Sequence, residues 1–330
     1  MNWTKPGWAG LLAIVLLLAA AMTASLFVGR VDLSAGDIFH GLADPHSLAG
    51  LVVTELRIPR TLLAVLVGAS LGLAGAVLQG LLRNPLAEPG LLGVTNGAAV
   101  GAVISIYFGL SHHFGLATPL LGMGGAMAAG ALTYALGRGS SLSLILAGAA
   151  ASSLMAAFLA LALNFAPSPY AAYEMNVWML GSLAERSWDH VWLAGPFVIA
   201  GLAVLATLGR AVDALALGEA QAESLGIRVD RTRLLALAGV GLCVGAATSV
   251  TGAVGFIGLV APHLVRPFVG HQPSRILLPS ALLGAVLLLA ADIGTRLIHT
   301  NTELRLGVLT ALLGAPFFFW LIVRLKRTAP

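Results

Sequence analysis

One short segment holds much of the charge in this sequence. Residues 210–233 read RAVDALALGEAQAESLGIRVDRTR, whereas charged residues make up only 10% of the 330-residue chain. Long apolar runs flank the segment on both sides. Charged side chains between apolar runs are placed to contact a soluble protein, so this segment is the first candidate for a functional surface. Its charged residues are Arg210, Asp213, Glu219, Glu223, Arg228, Asp230, Arg231 and Arg233.

Familiar catalytic and metal-binding motifs do not account for the chain. A Walker A loop needs a lysine after a glycine-rich turn, and the two lysines, Lys5 and Lys326, follow no such loop. The zinc patterns HExxH and CxxC do not occur. We therefore expect no catalytic residue, no metal site and no cofactor bound by this chain. Its formal charge of +4 does not indicate nucleic-acid binding, because Lys and Arg set the orientation of apolar chains in membranes.

Two weaker patterns have simpler interpretations. Residues 68–72, GASLG, match the motif around a hydrolase nucleophile, with Ser70 as the candidate. That motif needs a strand–turn–helix context, and here it lies within an apolar run that predicts a spanning helix. Glycines four residues apart, such as Gly68 and Gly72, instead predict close packing of helices within one bundle. His112 and His113 are adjacent, so they do not share a helix face, and we expect solvated loop residues.

The elements that must position these residues are membrane helices. Hydrophobic residues make up 58% of the chain and the mean hydropathy is +0.94. Apolar runs of 18 or more residues predict spanning helices, whereas barrel strands would alternate polar and apolar residues. We predict an all-α polytopic membrane protein with a single domain, residues 1–330. The first span is longer than the core of a signal peptide, so we expect a retained helix. The ten predicted spans are residues 9–28, 61–82, 91–110, 116–136, 142–165, 191–208, 234–251, 254–267, 276–298 and 306–323.

The eighth predicted span is short and broken, and the basic residues decide whether it crosses. Residues 254–267 are interrupted by Pro262 and are too few to cross about 30 Å of hydrocarbon as an ordinary helix. Ten crossings place 12 of the 18 basic residues inside, and nine would put the basic C-terminal tail outside, against the positive-inside bias. We therefore predict cytoplasmic N- and C-termini, a cytoplasmic segment 210–233, and periplasmic connectors at 29–60 and 166–190.

Several stretches resemble the FecCD family, the permeases of ABC importers for iron-siderophores, haem and cobalamin. The run RNPLAEPGLLG lies within a match over residues 68–98, and GAVGFIGLVAPHLVRPFVGH forms another at 252–271. The resemblance implies a homodimer with the translocation path on its two-fold axis, in the lipid of the bacterial inner membrane. It further implies two cytoplasmic ATPase subunits, which use ATP and Mg²⁺, and a periplasmic binding protein. Shorter matches lie at 56–60, 217–227, 290–296, Glu303 and 307–317.

The resemblance also implies roles for particular residues. Residues 218–226 match the region through which the family's permeases couple to the ATPase. The residues themselves support this role, because Glu219 and Glu223 share a helix face and Gly226 is a natural helix C-cap. The arginines that match the family's docking positions for the binding protein could instead be anchors in the lipid headgroups. The residues that match its cytoplasmic gate could instead form a plain Asn-Pro turn. The ATPase-coupling positions are Gly218, Glu219, Ala222, Leu225 and Gly226; the binding-protein docking positions are Arg57, Arg60 and Arg296; the cytoplasmic gate positions are Asn84 and Leu86.

The substrate is expected from the outer connector. Residues 179–192, MLGSLAERSWDHVW, resemble the haem permeases more than the cobalamin or siderophore permeases. Arg186 would face the haem propionates, since guanidinium suits carboxylate geometry; a surface ion pair with Glu185 or Asp189 is the alternative. We therefore expect an ATP-driven haem permease, with cobalamin and ferric siderophores as alternatives. An ion-coupled secondary transporter would need intramembrane ionisable groups, and Asp292 alone qualifies.

Overall fold

Ten apolar helices dominate the fold. The computed structural model of the chain describes residues 8–298 and 304–328. Seven helices are long and apolar enough to cross a membrane, and three more are apolar but shorter. No strand occurs in these described ranges, so the all-α polytopic prediction is confirmed. The ten helices are α1 (Trp8–Phe27), α2 (Ile58–Leu81), α3 (Val94–Tyr107), α4 (Ala117–Leu136), α5 (Ser141–Asn164), α6 (Trp188–Ala206), α7 (Val229–Thr251), α8 (Ile257–Val269), α9 (Pro273–Leu297) and α10 (Leu306–Thr328).

Shorter helices occupy the connectors between these ten. They lie at both ends of the bundle and account for much of the polar sequence. One of them, Val52–Arg57, is a π-helical turn that runs directly into α2, and another, Pro89–Leu92, is 3-10 helical. The others are Ala35–Ala43, Leu48–Leu51, Leu110–His113, Pro169–Met179, Gly209–Leu215 and Glu219–Ser224. His112 and His113 are exposed in one of these short helices, as expected.

Several helix boundaries differ from the prediction by a few residues, and two of these differences have a clear local cause. Helix α7 begins five residues before the predicted start at 234, because Asp230 in its first turn favours a helix N-terminus and the helix projects beyond the apolar run. Helix α3 begins at Val94 rather than 91, because Gly93 has a φ of +76° and separates it from the preceding 3-10 turn.

Helix α2 packs closely against α9 through glycine. A methyl group at Gly68 would overlap the carbonyl oxygen of Gly284, and one at Gly72 would overlap that of Ser280. The predicted packing of this glycine pair within one bundle is therefore confirmed. Ser70 lies between them, fully buried, and its hydroxyl donates to the carbonyl of Leu66 at 2.8 Å. This is an ordinary intrahelical bond of a helix serine, not a nucleophile elbow.

The short helix α8 is preceded by irregular backbone that other connectors cover. The N–H of Ser182 donates to the carbonyl of Thr251 at 2.7 Å. A methyl group at Gly252 would overlap the carbonyl oxygen of Trp178. Irregular backbone at membrane depth persists only where protein or a water-filled path surrounds it. The 13 residues of α8 can therefore form part of a crossing despite their small number.

Candidate functional site

The segment 210–233 folds into two short helices and the first turns of α7. Gly218 precedes the second short helix, Glu219–Ser224, and has a φ of +117°, which residues other than glycine rarely adopt. That helix ends as predicted at Gly226, which has a φ of +85°. The N–H of Gly226 donates to the backbone carbonyl of Glu223, and the N–H of Ile227 donates to that of Ala222. These two bonds form a Schellman C-cap, so the helix has defined ends.

The second short helix presents an apolar tip. Leu225, directly after the helix, is 64% exposed, and Leu217, directly before Gly218, is 65% exposed; Glu223 within the helix is exposed as well. Ala222 is fully buried and faces the bundle. An exposed leucine pair at a polar membrane surface is suited to contact with a protein. Of the five predicted coupling residues, Leu225 is therefore placed to contact a partner, whereas Ala222 anchors the helix.

Glu219 connects this helix to two membrane helices. Its Oε1 atom accepts from the hydroxyl of Ser141, the first residue of α5, at 2.7 Å. The same oxygen lies 2.7 Å from Nη2 of Arg233 in α7, and Arg233 is only 4% exposed. Burial alone would raise the pKa of Glu219, but the hydrogen bonds from Ser141 and Arg233 lower it below its usual range. The charged side chain of Glu219 therefore connects the N-terminal end of this helix to α5 and α7.

The predicted gate residues begin a segment that folds back into the bundle. Asn84 Oδ1 accepts from the N–H of Leu86 at 2.9 Å, and both residues are half-buried. This is an Asx turn, which fits the plain-turn alternative as well as a gate. The chain then continues to the start of α8, where Glu88 accepts a hydrogen bond from the N–H of Phe256, the residue immediately before that helix. The gate role of Asn84 and Leu86 stays a prediction.

Helix α5 holds the far end of this folded-back segment. The hydroxyl of Ser152 donates to the carbonyl of Gly90 at 3.1 Å. A methyl group at Gly148 would overlap the carbonyl oxygen of Leu91. Helix α5 thus touches the gate segment in its middle and Glu219 at its beginning. A shift of α5 along its axis would move both contacts together.

The predicted docking arginines lie at the opposite end of the bundle. Arg57 is 4% exposed and donates to the carbonyl oxygens of Leu26 and Val31, each at 2.6 Å. Arg296 is 6% exposed and donates to the carbonyls of Ser25 and Val28 at 2.8 and 2.7 Å. Both guanidinium groups therefore satisfy carbonyl groups at the C-terminal end of α1.

This burial bears on the docking prediction for Arg57 and Arg296, which stays a prediction. Docking on an acidic protein needs an exposed guanidinium, and in this conformation Arg57 and Arg296 bind the α1 terminus instead. Arg60 is 15% exposed, and its Nη2 atom lies 2.9 Å from Oδ1 of Asp292. Docking at Arg60 stays a prediction.

Asp292 holds two of these arginines. It is fully buried, and its second oxygen lies 2.6 Å from Nη2 of Arg296. A buried carboxylate with two guanidinium partners is a structural brace, since both its oxygens are engaged. The alternative of an ion-coupled transporter rested on Asp292 as its intramembrane ionisable group, and these contacts argue against that use.

A cavity of about 510 Å³ contains the predicted substrate residue. It lies beside the outer connectors, and its lining contains three guanidinium groups, of Arg30, Arg186 and Arg305, and two carboxylates, of Glu174 and Glu185. Arg186 Nε and Ser111 Oγ are buried there without a hydrogen-bond partner among the described residues. Burial lowers the pKa of Arg186, with Glu185 acting in the opposite direction and Arg305 reinforcing the effect. The alternative of a direct ion pair with Glu185 or Asp189 is not seen within the described part of the chain.

Comparison with known proteins identifies the family. The sequence model of the FecCD transport family matches residues 16–324. The chain belongs to the FecCD transport family. It is 38% identical over 320 residues to the vitamin B12 import system permease protein BtuC of Salmonella arizonae, covering 96% of this chain and 94% of that one. The BtuC protein of Salmonella typhi is also 38% identical, over 323 residues and 95% of its length.

Solved structures agree with the fold of this FecCD protein. One, described as an inward-facing conformation of a metal-chelate type ABC transporter, has a TM-score of 0.84 and 33% identity over 95% of this chain and 98% of that one. PsaBC from Streptococcus pneumoniae in complex with Fab, with a TM-score of 0.55 and 17% identity over 87% of this chain and 94% of that one, shares the fold. The chain is therefore a permease of an ABC importer and a multi-pass protein of the bacterial inner membrane.

Sequence reasoning missed the partners of the charged residues. It listed Arg233 only among the charges of segment 210–233 and assigned Asp292 no structural partner. A signal existed, because an arginine or aspartate within an apolar run must find a partner in the protein. One of the two partners of Glu219 is Ser141, which is 78 positions away in the sequence. That pairing depends on where the tertiary fold places the start of α5 relative to the helix Glu219–Ser224.

Proposed function

We propose that this chain is the permease subunit of an importer that moves cobalamin from the periplasm to the cytoplasm. The observation that carries this proposal is its 38% identity to BtuC permeases across 96% of its length. Cobalamin thereby displaces haem as the first choice, since the preference for haem rested on residues 179–192 alone. ATP would be hydrolysed in separate subunits.

The proposed assembly follows the family. Two copies of this chain would enclose the path on a two-fold axis, with two ATPase subunits below and a periplasmic binding protein above. The exposed Leu217 and Leu225 support an ATPase contact at the segment 210–233, because both side chains project from its surface. Arg60 is the docking candidate that retains exposed surface.

The contacts of α5 suggest how ATPase movement would reach the gate. A push on Glu219–Ser224 is transmitted through Glu219 to Ser141 at the start of α5. Helix α5 in turn holds Gly90 through Ser152. Displacement of α5 would therefore shift the segment that begins with Asn84 and Leu86, which is the predicted gate. Alternating access then needs a rigid-body movement of one helix rather than a change within it.

Haem is a second candidate because of the arginine-lined cavity. Arg186 has an unused Nε donor in that cavity, with Arg30 and Arg305 on the same lining. Several guanidinium groups together favour a substrate with carboxylates, such as the haem propionates. Replacing Arg186 with Gln would then weaken haem transport and leave cobalamin transport unchanged.

Substrate competition tests the proposal. The chain is reconstituted in proteoliposomes with its cognate ATPase and binding protein, and uptake of cobalamin, haem and a ferric siderophore is measured. We expect ATP-dependent accumulation of cobalamin. Accumulation of haem or siderophore without cobalamin would reject the substrate while leaving the importer itself intact.

A further inference from the structure

A second cavity, at the predicted cytoplasmic end of the bundle, has a basic lining. It measures about 270 Å³ and lies where the end of α2 meets the second half of α8 and the start of α9. Arg83, Arg266 and His271 line it, and none of its described lining residues is acidic. The proposed movement of cobalamin makes no use of this cavity.

The guanidinium of Arg266 has few partners in this cavity. Its half-buried guanidinium donates from Nη2 to Oε1 of Gln79 at 2.6 Å. Gln79 is 4% exposed and donates in turn to the carbonyl of Gly258 at 3.4 Å, so its oxygen is held towards Arg266. Among the described residues, no carboxylate lies within ion-pairing distance of Arg266.

A guanidinium in this position lacks an obvious counter-charge. Removing a charge from water costs free energy unless an opposite charge or several hydrogen bonds replace the lost hydration. Arginine has five N–H donors, and Gln79 takes one of them. Asp213 is near the cavity but does not supply the charge. Its carboxylate accepts from the N–H and hydroxyl of Ser274, at 2.8 and 2.6 Å, and from Nε2 of Gln272 at 2.7 Å.

We propose that this cavity binds a phosphate group at the cytoplasmic headgroup level. The fork of N–H donors on arginine matches the oxygens of a phosphate, and a charge-assisted pair is stronger than a neutral one. Basic pockets between membrane helices on the cytoplasmic side are suited to anionic lipid headgroups. Arg83 is exposed at the cavity mouth, while Arg266 lies deeper beside Gln79. The phosphate belongs either to an anionic phospholipid or to free inorganic phosphate.

Bound phosphate would also join three elements. Arg83 follows α2, Arg266 belongs to α8, and His271 precedes α9. The guanidinium of Arg83 also lies beside Gly218, at the N-terminal end of the short helix Glu219–Ser224, which we call the coupling helix. Occupancy would therefore stiffen the end of the bundle against which the ATPase is proposed to act.

Lipid retention in native mass spectrometry tests the proposal. The full-length chain is extracted from vesicles containing either phosphatidylglycerol or phosphatidylcholine, and bound lipid is counted. Arg266→Gln removes the deep charge, and Arg275→Gln is the matched control, because Arg275 is exposed in the first turn of α9 and does not line the cavity. We expect selective retention of phosphatidylglycerol, reduced about tenfold in Arg266→Gln and unchanged in Arg275→Gln.

A second arm separates the two sources of phosphate. Equilibrium dialysis measures the binding of inorganic phosphate to the same proteins in neutral detergent. Phosphate binding that is lost in Arg266→Gln, without lipid selectivity, would identify the free ion as the ligand. Equal behaviour of wild type and Arg266→Gln towards both probes would overturn the proposal. If Arg266→Gln fails to insert, Arg83→Gln at the exposed mouth is measured against the same expectations.

Discussion

At the level of single residues, the charged groups of this permease hold its parts together. Glu219 joins the coupling helix to α5 and α7 through Ser141 and Arg233. Asp292 joins α9 to α2 through Arg60, and it also pairs with Arg296 in its own helix. Each carboxylate thus links side chains from different helices. Loss of either should therefore affect the mechanical connection of helices and not a chemical step.

Removal of the Glu219 carboxylate should separate ATP hydrolysis from transport. We expect Glu219→Ala to lower the amount of substrate transported per ATP about tenfold, because the variant loses a charge-assisted bond to Arg233 and the bond from Ser141. The ratio is measured in proteoliposomes that contain the complete transporter. Glu55→Ala, at an exposed glutamate in the connector 29–60 at the opposite end of the bundle, is the control and should keep the wild-type ratio.

The lowered pKa of Glu219 makes a prediction about pH. A carboxylate with a depressed folded-state pKa stabilises the fold above its unfolded pKa, and this contribution is lost as the pH falls through the folded value. The Glu219 pKa lies below the ordinary value of 4.5. We therefore expect the transport-to-ATP ratio to stay constant from about pH 7.5 to about pH 5.5. A fall of that ratio in wild type but not in Glu219→Ala would contradict the assignment.

Asp292 should be important for stability. In Asp292→Asn, Arg60 and Arg296 lose their negative partner, and Arg296 is 6% exposed. Breaking a buried ion pair from one side typically costs about 3–5 kcal/mol. We expect the free energy of unfolding in detergent to fall by that amount, measured by chemical denaturation. Asp32→Asn, at an exposed residue of the connector 29–60, should change the free energy of unfolding little. Equal stability of the two variants would argue against a brace.

At the level of elements, close helix packing depends on glycine at defined contacts. Gly72 in α2 meets the backbone of Ser280 in α9, so an added methyl group must push the helices apart. Gly124 in α4 has open space around its Cβ position. The two residues therefore form a matched pair in which helix propensity is the same and packing differs.

Substitution of these two glycines tests the α2–α9 contact. We expect Gly72→Ala to destabilise the protein by about 1–3 kcal/mol through overpacking. Gly124→Ala should be neutral or stabilise by up to about 1 kcal/mol, because alanine is the better helix former. Thermal unfolding in the same detergent compares them. An unaffected Gly72→Ala would show that the two helices are further apart than described.

The helices were predictable from the sequence because apolar runs and breakers are local signals. All ten predicted spans correspond to helices, including the short α8. Ala222 and Leu225 illustrate the limit, since both lie in one short helix and only packing decides that one is buried and the other exposed. The burial of Arg57 likewise depends on the position of α1, which no local pattern reports.

At the level of the whole molecule, family membership determines the architecture and leaves the substrate to experiment. The FecCD match and the BtuC relatives cover nearly the complete chain. Hydrolysis of ATP in a separate subunit is part of the proposed function. Partner and substrate therefore have to be tested together, in the reconstituted complex.

The most direct measurement follows labelled cobalamin into proteoliposomes that contain this chain, its ATPase and its binding protein. We predict accumulation that requires ATP on the ATPase side and stops when the ATPase is omitted, even under an imposed proton or sodium gradient. Accumulation driven by such a gradient without the ATPase would contradict the account of this chain as an ABC importer permease.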